Sequence, residues 1–252
     1  MRRLYMGVIT LVTIVCVLVG CAIHFGGSFG GINVNIGNRE NQGSVREDNI
    51  ELDSFTRICV DAAVMGLTVE KGDDYKLSYN CTKNLIPEYE VKDGVLYINQ
   101  KQKNTNWIGT NNCNAILTIP DGILLEMVEI TSDVGDVNLD RLAIIDLTVY
   151  CDVGDVSVQE SVIGDAKMEL DVGDLDISDS EFESLDVYSD VGDIDIDSAA
   201  DLSDYTFDIA AELGDIEVNG KDYKDECYIK GDQGLIKIGA DIGDIEISWD
   251  GE

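Results

Sequence analysis

A four-residue phrase, apolar-Gly-Asp-apolar, constrains this chain more than anything else in it. It occurs at Val134-Gly135-Asp136-Val137, Val153-Gly154-Asp155-Val156, Val172-Gly173-Asp174-Leu175 and Val191-Gly192-Asp193-Ile194. It returns at Leu213-Gly214-Asp215-Ile216 and Ile242-Gly243-Asp244-Ile245. The first four glycines are 19 residues apart, the next step is 22, and a degenerate copy at Gln233-Gly234-Leu235-Ile236 follows after 20. A fixed period of this size marks a repeat architecture.

Counting from each glycine gives columns. Position −1 holds Val134, Val153, Val172, Val191, Leu213 and Ile242, and position +2 holds Val137, Val156, Leu175, Ile194, Ile216 and Ile245. Positions −5 and +4 are also apolar, while −3 holds the mostly small Ser132, Cys151, Leu170, Ser189 and Ala211. Apolar and polar residues alternate with a period of two, as on a sheet with one buried face. The −1 and +2 residues are expected in the core, with glycine at a corner where the alternation slips by one. A second polar run, such as Asp179-Ser180-Glu181, supplies the other corner. One copy cannot bury a core alone, but stacked copies can. The chain is therefore expected to be all-β, a parallel β-solenoid (β-helix) with coils of 19–22 residues. An antiparallel β-sandwich is the competing fold.

The same reading divides the chain. Residues 1–25 form a membrane anchor or lipoprotein signal segment, and 26–48 a flexible, Gly- and Asn-rich linker. Residues 49–130 form irregular first coils, with a polar loop around Trp107, and 131–220 the regular Gly-Asp coils. Residues 221–252 form a C-terminal coil and cap over the open end. In the first segment Arg2 and Arg3 precede an uncharged run through Phe25. That run is long enough to span a bilayer as a helix, with the arginines inside and the rest outside. Leu18-Val19-Gly20-Cys21 also reads as a lipobox with Cys21 as the lipidated residue. Both readings place the domain outside the cytoplasmic membrane of a bacterium.

Charge narrows the partners. Residues 131–252 hold 35 acidic and 6 basic side chains, a net of −29, against 15 and 11 in residues 1–130, a net of −4. Such a polyanion excludes nucleic acid and direct docking on anionic lipid. The acid is also columnar: Asp133, Asp152, Asp171, Asp190, Glu212, Asp232 and Asp241 stand at −2. Asp136, Asp155, Asp174, Asp193, Asp215 and Asp244 stand at +1. Stacked carboxylates repel by ~0.9 kcal/mol per neighbour in water-like surroundings. Two arrangements offset that. The aspartates accept backbone N–H groups at the corner, or Ca²⁺ sits between rungs on Asp133, Asp136, Asp152, Asp155, Asp171, Asp174, Asp190 and Asp193. No other cofactor is expected.

Nothing suggests catalysis. The single histidine, His24, lies at the end of the anchor, so the domain has no histidine base. Carboxylate pairs suited to a polysaccharide-active enzyme are unavoidable in so acidic a sequence and carry no specificity. Cys151 falls in the −3 core column, and a Cys81–Cys113 bridge is one of several pairings open to the remaining thiols.

The membrane segment, the Gly-Gly linker, Leu117-Thr118-Ile119-Pro120 and Ser132-Asp133-Val134-Gly135-Asp136-Val137 together resemble the bacterial putative-adhesin family, a group built on a domain of unknown function. The resemblance implies a surface-exposed β-solenoid, some of whose relatives lie near genes of cell-envelope stress response, and brings no catalytic residues. Two functions follow as expectations. One is an adhesin-like binding or scaffold protein with an envelope or extracellular ligand. The other is an envelope-stress sensor or regulatory accessory that binds cations or cationic peptides.

Overall fold

A computed structural model describes residues 43–101 and 113–249. Contacts gather Gln42–Glu252 into one unit, separate from Met1–Asn41. The anchor, Cys21, most of the linker and Trp107 lie outside the described residues.

Twenty strands and no helix make up the described residues. The first seven are β1 (Ser44–Glu51), β2 (Arg57–Ala62), β3 (Gly66–Gly72), β4 (Lys76–Thr82), β5 (Glu88–Lys92), β6 (Val95–Gln100) and β7 (Cys113–Pro120). The regular repeats supply β8 (Leu124–Ser132), β9 (Val137–Asp140), β10 (Ala143–Val153), β11 (Val156–Gln159), β12 (Val162–Val172), β13 (Leu175–Val191) and β14 (Ile194–Ser198). The last are β15 (Thr206–Leu213), β16 (Ile216–Val218), β17 (Lys221–Tyr223), β18 (Glu226–Ile229), β19 (Leu235–Ile242) and β20 (Ile245–Trp249). β1 begins inside the segment whose composition reads as linker, because Ser44–Glu47 pair with β4.

Each coil is a strand on one face followed, past the Gly-Asp corner, by a strand on the other. The coils stack through parallel pairing that aligns equivalent positions: Leu147 beside Ala166 beside Leu185, and Val156 beside Leu175 beside Ile194. The two sheets enclose one core, in which Val149, Met168, Val187, Ile209 and Ile238 are fully or almost fully buried. Burying such a side chain contributes about 1.5–3 kcal/mol. Because each coil touches only its neighbours, stability accumulates coil by coil.

The corners explain the sequence. Gly135, Gly154, Gly173, Gly192 and Gly243 hold φ of +139° to +152°, where side chains are strained. A Cβ on Gly173 would also strike the carbonyl oxygen of Gly154 one rung away, and one on Gly192 that of Gly173. The opposite corner uses a different device. Arg141, Glu160 and Asp179 take left-handed conformations at φ +54°, +47° and +48°. Behind them Ser161 and Ser180 are buried. The Leu142 amide donates to Ser161 Oγ at 3.1 Å, and the Ser161 amide to Ser180 Oγ at 3.0 Å.

Space departs from sequence order at both ends. β2–β3 lie between β6–β7 and β8–β9. β19–β20 lie between β13–β14 and β15–β16. The outermost coils are thus β6–β7 and β15–β16, each edged by antiparallel strands. β5 covers β6 and β4 covers β7, with β1 outside β4. β18 covers β15 and β17 covers β16. Within 221–252, expected as a C-terminal coil and cap, β17 and β18 cover the end, while β19–β20 form an interior coil. Gly234 is no corner either. It precedes Leu235, which pairs with Ser184 and Thr206 at the start of the strand, so Asp232 leaves the −2 column.

Cys81 and Cys113 face one another across β4 and β7 and form a disulfide. Cys59, Cys151 and Cys227 are free thiols. The bridge closes a chain segment with a sequence separation of 32. Replacing Cys81 and Cys113 by Ser is expected to lower unfolding free energy by about 3 kcal/mol in urea titrations.

Gly173→Ala is expected to cost about 3 kcal/mol or more. Gly94→Ala is the control: Gly94 has φ +75° but open space around its Cβ position, and its loss is expected to cost only about 1–2 kcal/mol. Equal losses in denaturant titrations would refute close backbone approach as the reason for the corner glycine.

Candidate functional site

The Gly-Asp corner is the feature that repeats on the outer surface. Three columns meet there: carboxylates at −2, aliphatic residues at −1 and carboxylates at +1. Their fates differ because the alternation does not simply slip at the corner.

The −1 column was expected in the core, and the structure places it outside. Val153, Val172, Val191, Leu213 and Ile242 are 47%, 49%, 42%, 65% and 48% exposed, and Val134 is half-buried. The reason is the swing of the chain at the glycine. Residues −3 and +2 line the inner wall of the corner, leaving −2 and −1 both facing solvent. The −3 residues are mostly small because that inner corner is tight. Two of them also satisfy the glycine carbonyl: Ser132 Oγ donates to Gly135 O at 3.3 Å and Cys151 Sγ to Gly154 O at 3.4 Å. Burial, then Asp136 and other nearby carboxylates, push the Cys151 thiol up to about 11. That holds it as an unreactive thiol.

The +1 aspartates form a hydrogen-bonded ladder. Asp136 Oδ1 accepts from the Asp155 amide at 3.2 Å, Asp155 Oδ1 from Asp174 at 3.0 Å and Asp174 Oδ1 from Asp193 at 2.9 Å. The ladder then follows space rather than sequence. Asp193 Oδ1 accepts from Asp244 at 2.9 Å, and Asp244 Oδ1 from Asp215 at 2.8 Å. Each carboxylate therefore satisfies a backbone donor of the next coil, a charge-assisted bond that offsets repulsion along the column.

The −2 column (Asp133, Asp152, Asp171, Asp190, Asp241 and Glu212) runs along the other side of the aliphatic residues. Burial, then Asp152 and Asp61, raise the Asp133 carboxyl above its ordinary value. Tyr188 Oη donates to Asp241 Oδ1 at 2.7 Å. Of the eight aspartates considered as Ca²⁺ ligands, Asp136, Asp155, Asp174 and Asp193 thus line one side of the aliphatic −1 column. Asp133, Asp152, Asp171 and Asp190 line the other. Among the described residues no group of three or more acidic, Cys or His side chains converges as a metal site.

A third acidic column stands at +3 on the outer face after the corner: Asp176, Asp195, Glu246 and Glu217 in spatial succession. Burial, then Glu246, Asp176 and Asp197, raise the Asp195 carboxyl. Glu246 stands beside Asp195 in this column although β20 is distant in the chain.

These features define a class: an all-β, β-solenoid-like protein whose corners carry periodic surface columns. The model of the Toastrack DUF4097 family matches residues 55–252, and the chain belongs to that family. It is the family that the Ser132–Val137 motif resembles. Among solved structures, the chain is similar to a putative cell adhesion protein from Clostridium sporogenes. The two are 16% identical, over 82% of this chain and 100% of that one, with a TM-score of 0.52, a likeness of fold. It is also similar to a putative adhesin from Bacteroides fragilis, 18% identical over 81% of this chain and 96% of that one, with a TM-score of 0.45. No curated protein matches the chain.

The raised Asp133 and Asp195 carboxyls have a consequence for pH. The folded state holds their protons more tightly than the unfolded state does. Their contribution to stability is therefore fully present below the unfolded value near 3.8 and is lost as pH rises through the raised value. Asp195→Asn is expected to raise the melting temperature at pH 7 and to reduce its rise on acidification towards pH 4. An unchanged pH profile would show that the column carries no mutual repulsion.

Proposed function

We propose that this chain is a non-enzymatic binding or scaffold protein, displayed outside the cytoplasmic membrane and held there by its N-terminal segment. The observation that carries this reading is the register. The six coils with Gly-Asp corners hold equivalent outer residues in straight columns, a surface suited to extended contact rather than to chemistry at one point. The Cys81–Cys113 bridge supports an oxidising compartment. The arginines before the apolar run from Leu4 to Phe25 support an anchor whose following domain lies outside, either as a helix or through lipidated Cys21. The likeness in fold to the Clostridium sporogenes protein, described in terms of cell adhesion, agrees with a role in contact.

A second reading keeps the same location. The domain acts as an envelope-stress sensor or regulatory accessory that samples cations or cationic peptides. The acidic columns favour it, because a field of one sign draws in opposite charge and weakens with salt.

Display is tested on intact cells that express the full chain with a C-terminal epitope. Added protease is expected to remove the epitope without lysis, and a cytoplasmic control protein to survive. Protection of the epitope until the cells are broken would overturn the proposal.

A further inference from the structure

The needs of the fold leave the exposed −1 column unexplained. A corner glycine and a ladder aspartate each have a structural task. The aliphatic residue between the carboxylates has none, since it faces solvent where a polar residue would cost nothing. Yet all six positions are Val, Ile or Leu. Registry aligns them, Val153 beside Val172 beside Val191 beside Ile242 beside Leu213. Six rungs at 4.8 Å make a stripe about 24 Å long. A contiguous apolar surface of this kind marks an interaction site.

The neighbours of the stripe select its partner. A carboxylate column flanks it on each side, and no Lys or Arg occupies the −2, −1 or +1 positions of these corners. The +1 column is held in place by its backbone hydrogen bonds, so it is a fixed rail of charge. A second copy of this chain would bring the same charges and be repelled. Anionic lipid is repelled likewise. What fits is an apolar seam bordered on both sides by positive charge. An α-helix supplies that geometry. Its residues three and four apart are about 5–6 Å from one another, close to the rung spacing, and about 16 residues span the stripe.

We propose that the aliphatic stripe from Val134 to Leu213, with its two carboxylate rails, is a docking surface for a cationic amphipathic helix of a peptide or protein partner. This rests on the binding reading above and gives that reading a site. Leucines of the helix pack on the valines. Lysines or arginines on its flanks pair with the −2 and +1 carboxylates, releasing part of the repulsion stored along both columns.

The probe is a labelled synthetic peptide of about 18 residues with a leucine seam and lysines on both flanks, titrated by fluorescence anisotropy against the full chain at low salt. The comparison peptide has the same composition, with leucine and lysine scrambled around the helix. The seam peptide is expected to bind at least about tenfold more tightly than the scrambled one, a difference of about 1.4 kcal/mol. The triple variant Val153→Thr, Val172→Thr, Val191→Thr keeps β-branched, exposed side chains and is expected to weaken the seam peptide by a similar factor. Asp152→Asn, Asp171→Asn, Asp190→Asn is expected to weaken both peptides. Equal binding of seam and scrambled peptides overturns the proposal in favour of plain polyanion attraction, and needs only the unaltered chain. Absence of binding at low salt overturns it too. Either failure leaves display unaffected, because protease accessibility on cells is read independently.

Discussion

At the Gly-Asp corner the protein packs backbone on backbone. The carbonyl of one corner glycine fills the place where a Cβ of the next would stand, at Gly154, Gly173, Gly192 and Gly243 in turn. Such an approach is available only to glycine. It sets the rungs in one register, and the register sets everything else. It lets Asp174 Oδ1 reach the Asp193 amide. It aligns Val149, Met168 and Val187 into a single core column. It also lines up the outward residues, whether or not their charges favour being neighbours.

The ends of the stack solve a different problem. A parallel solenoid exposes unpaired strand edges that invite association. Here each outermost coil is edged by antiparallel strands joined directly to it. The two ends are mirror images in chain order. At one, the chain lays down an inner coil, then the edging strands, then the outer coil. At the other it lays down the outer coil, then the edging strands, then the inner coil. The covering strands are polar and charged where they face outward, as at Glu88, Glu90 and Lys92 in β5.

The repeat made most of this architecture readable in advance, because equivalent columns carry equivalent residue types every 19 residues. Residues at −5, +2 and +4 lie in the core as their alternation indicates. The reading failed where periodicity and parity disagree. Position −1 has the parity of the core and the chemistry of the core, yet the swing at the glycine turns it outward. The small residues at −3 were the available signal, since a corner that admits only Ser, Cys or Ala has no room for a valine beside them. Leu170 at the same position blurred that signal. The order of coils was not legible either. Gly234 imitates a corner in sequence, and nothing local shows that Ile242-Gly243-Asp244 stacks between Val191-Gly192-Asp193 and Leu213-Gly214-Asp215. That pairing is a long-range choice, made by the edges left open and not by the segment itself.

The insertion of β19–β20 has a consequence for how the stack is joined. The regular coils follow one another both in the chain and in space. The coil β15–β16 comes next in the chain, but its neighbour in the stack, β19–β20, comes after it. Phe207 and Ile209 pair on that side with Ile236 and Ile238, residues supplied by a later segment. The last coil in the chain is thus the one that joins β15–β16 to the regular repeats, and it works as a keystone.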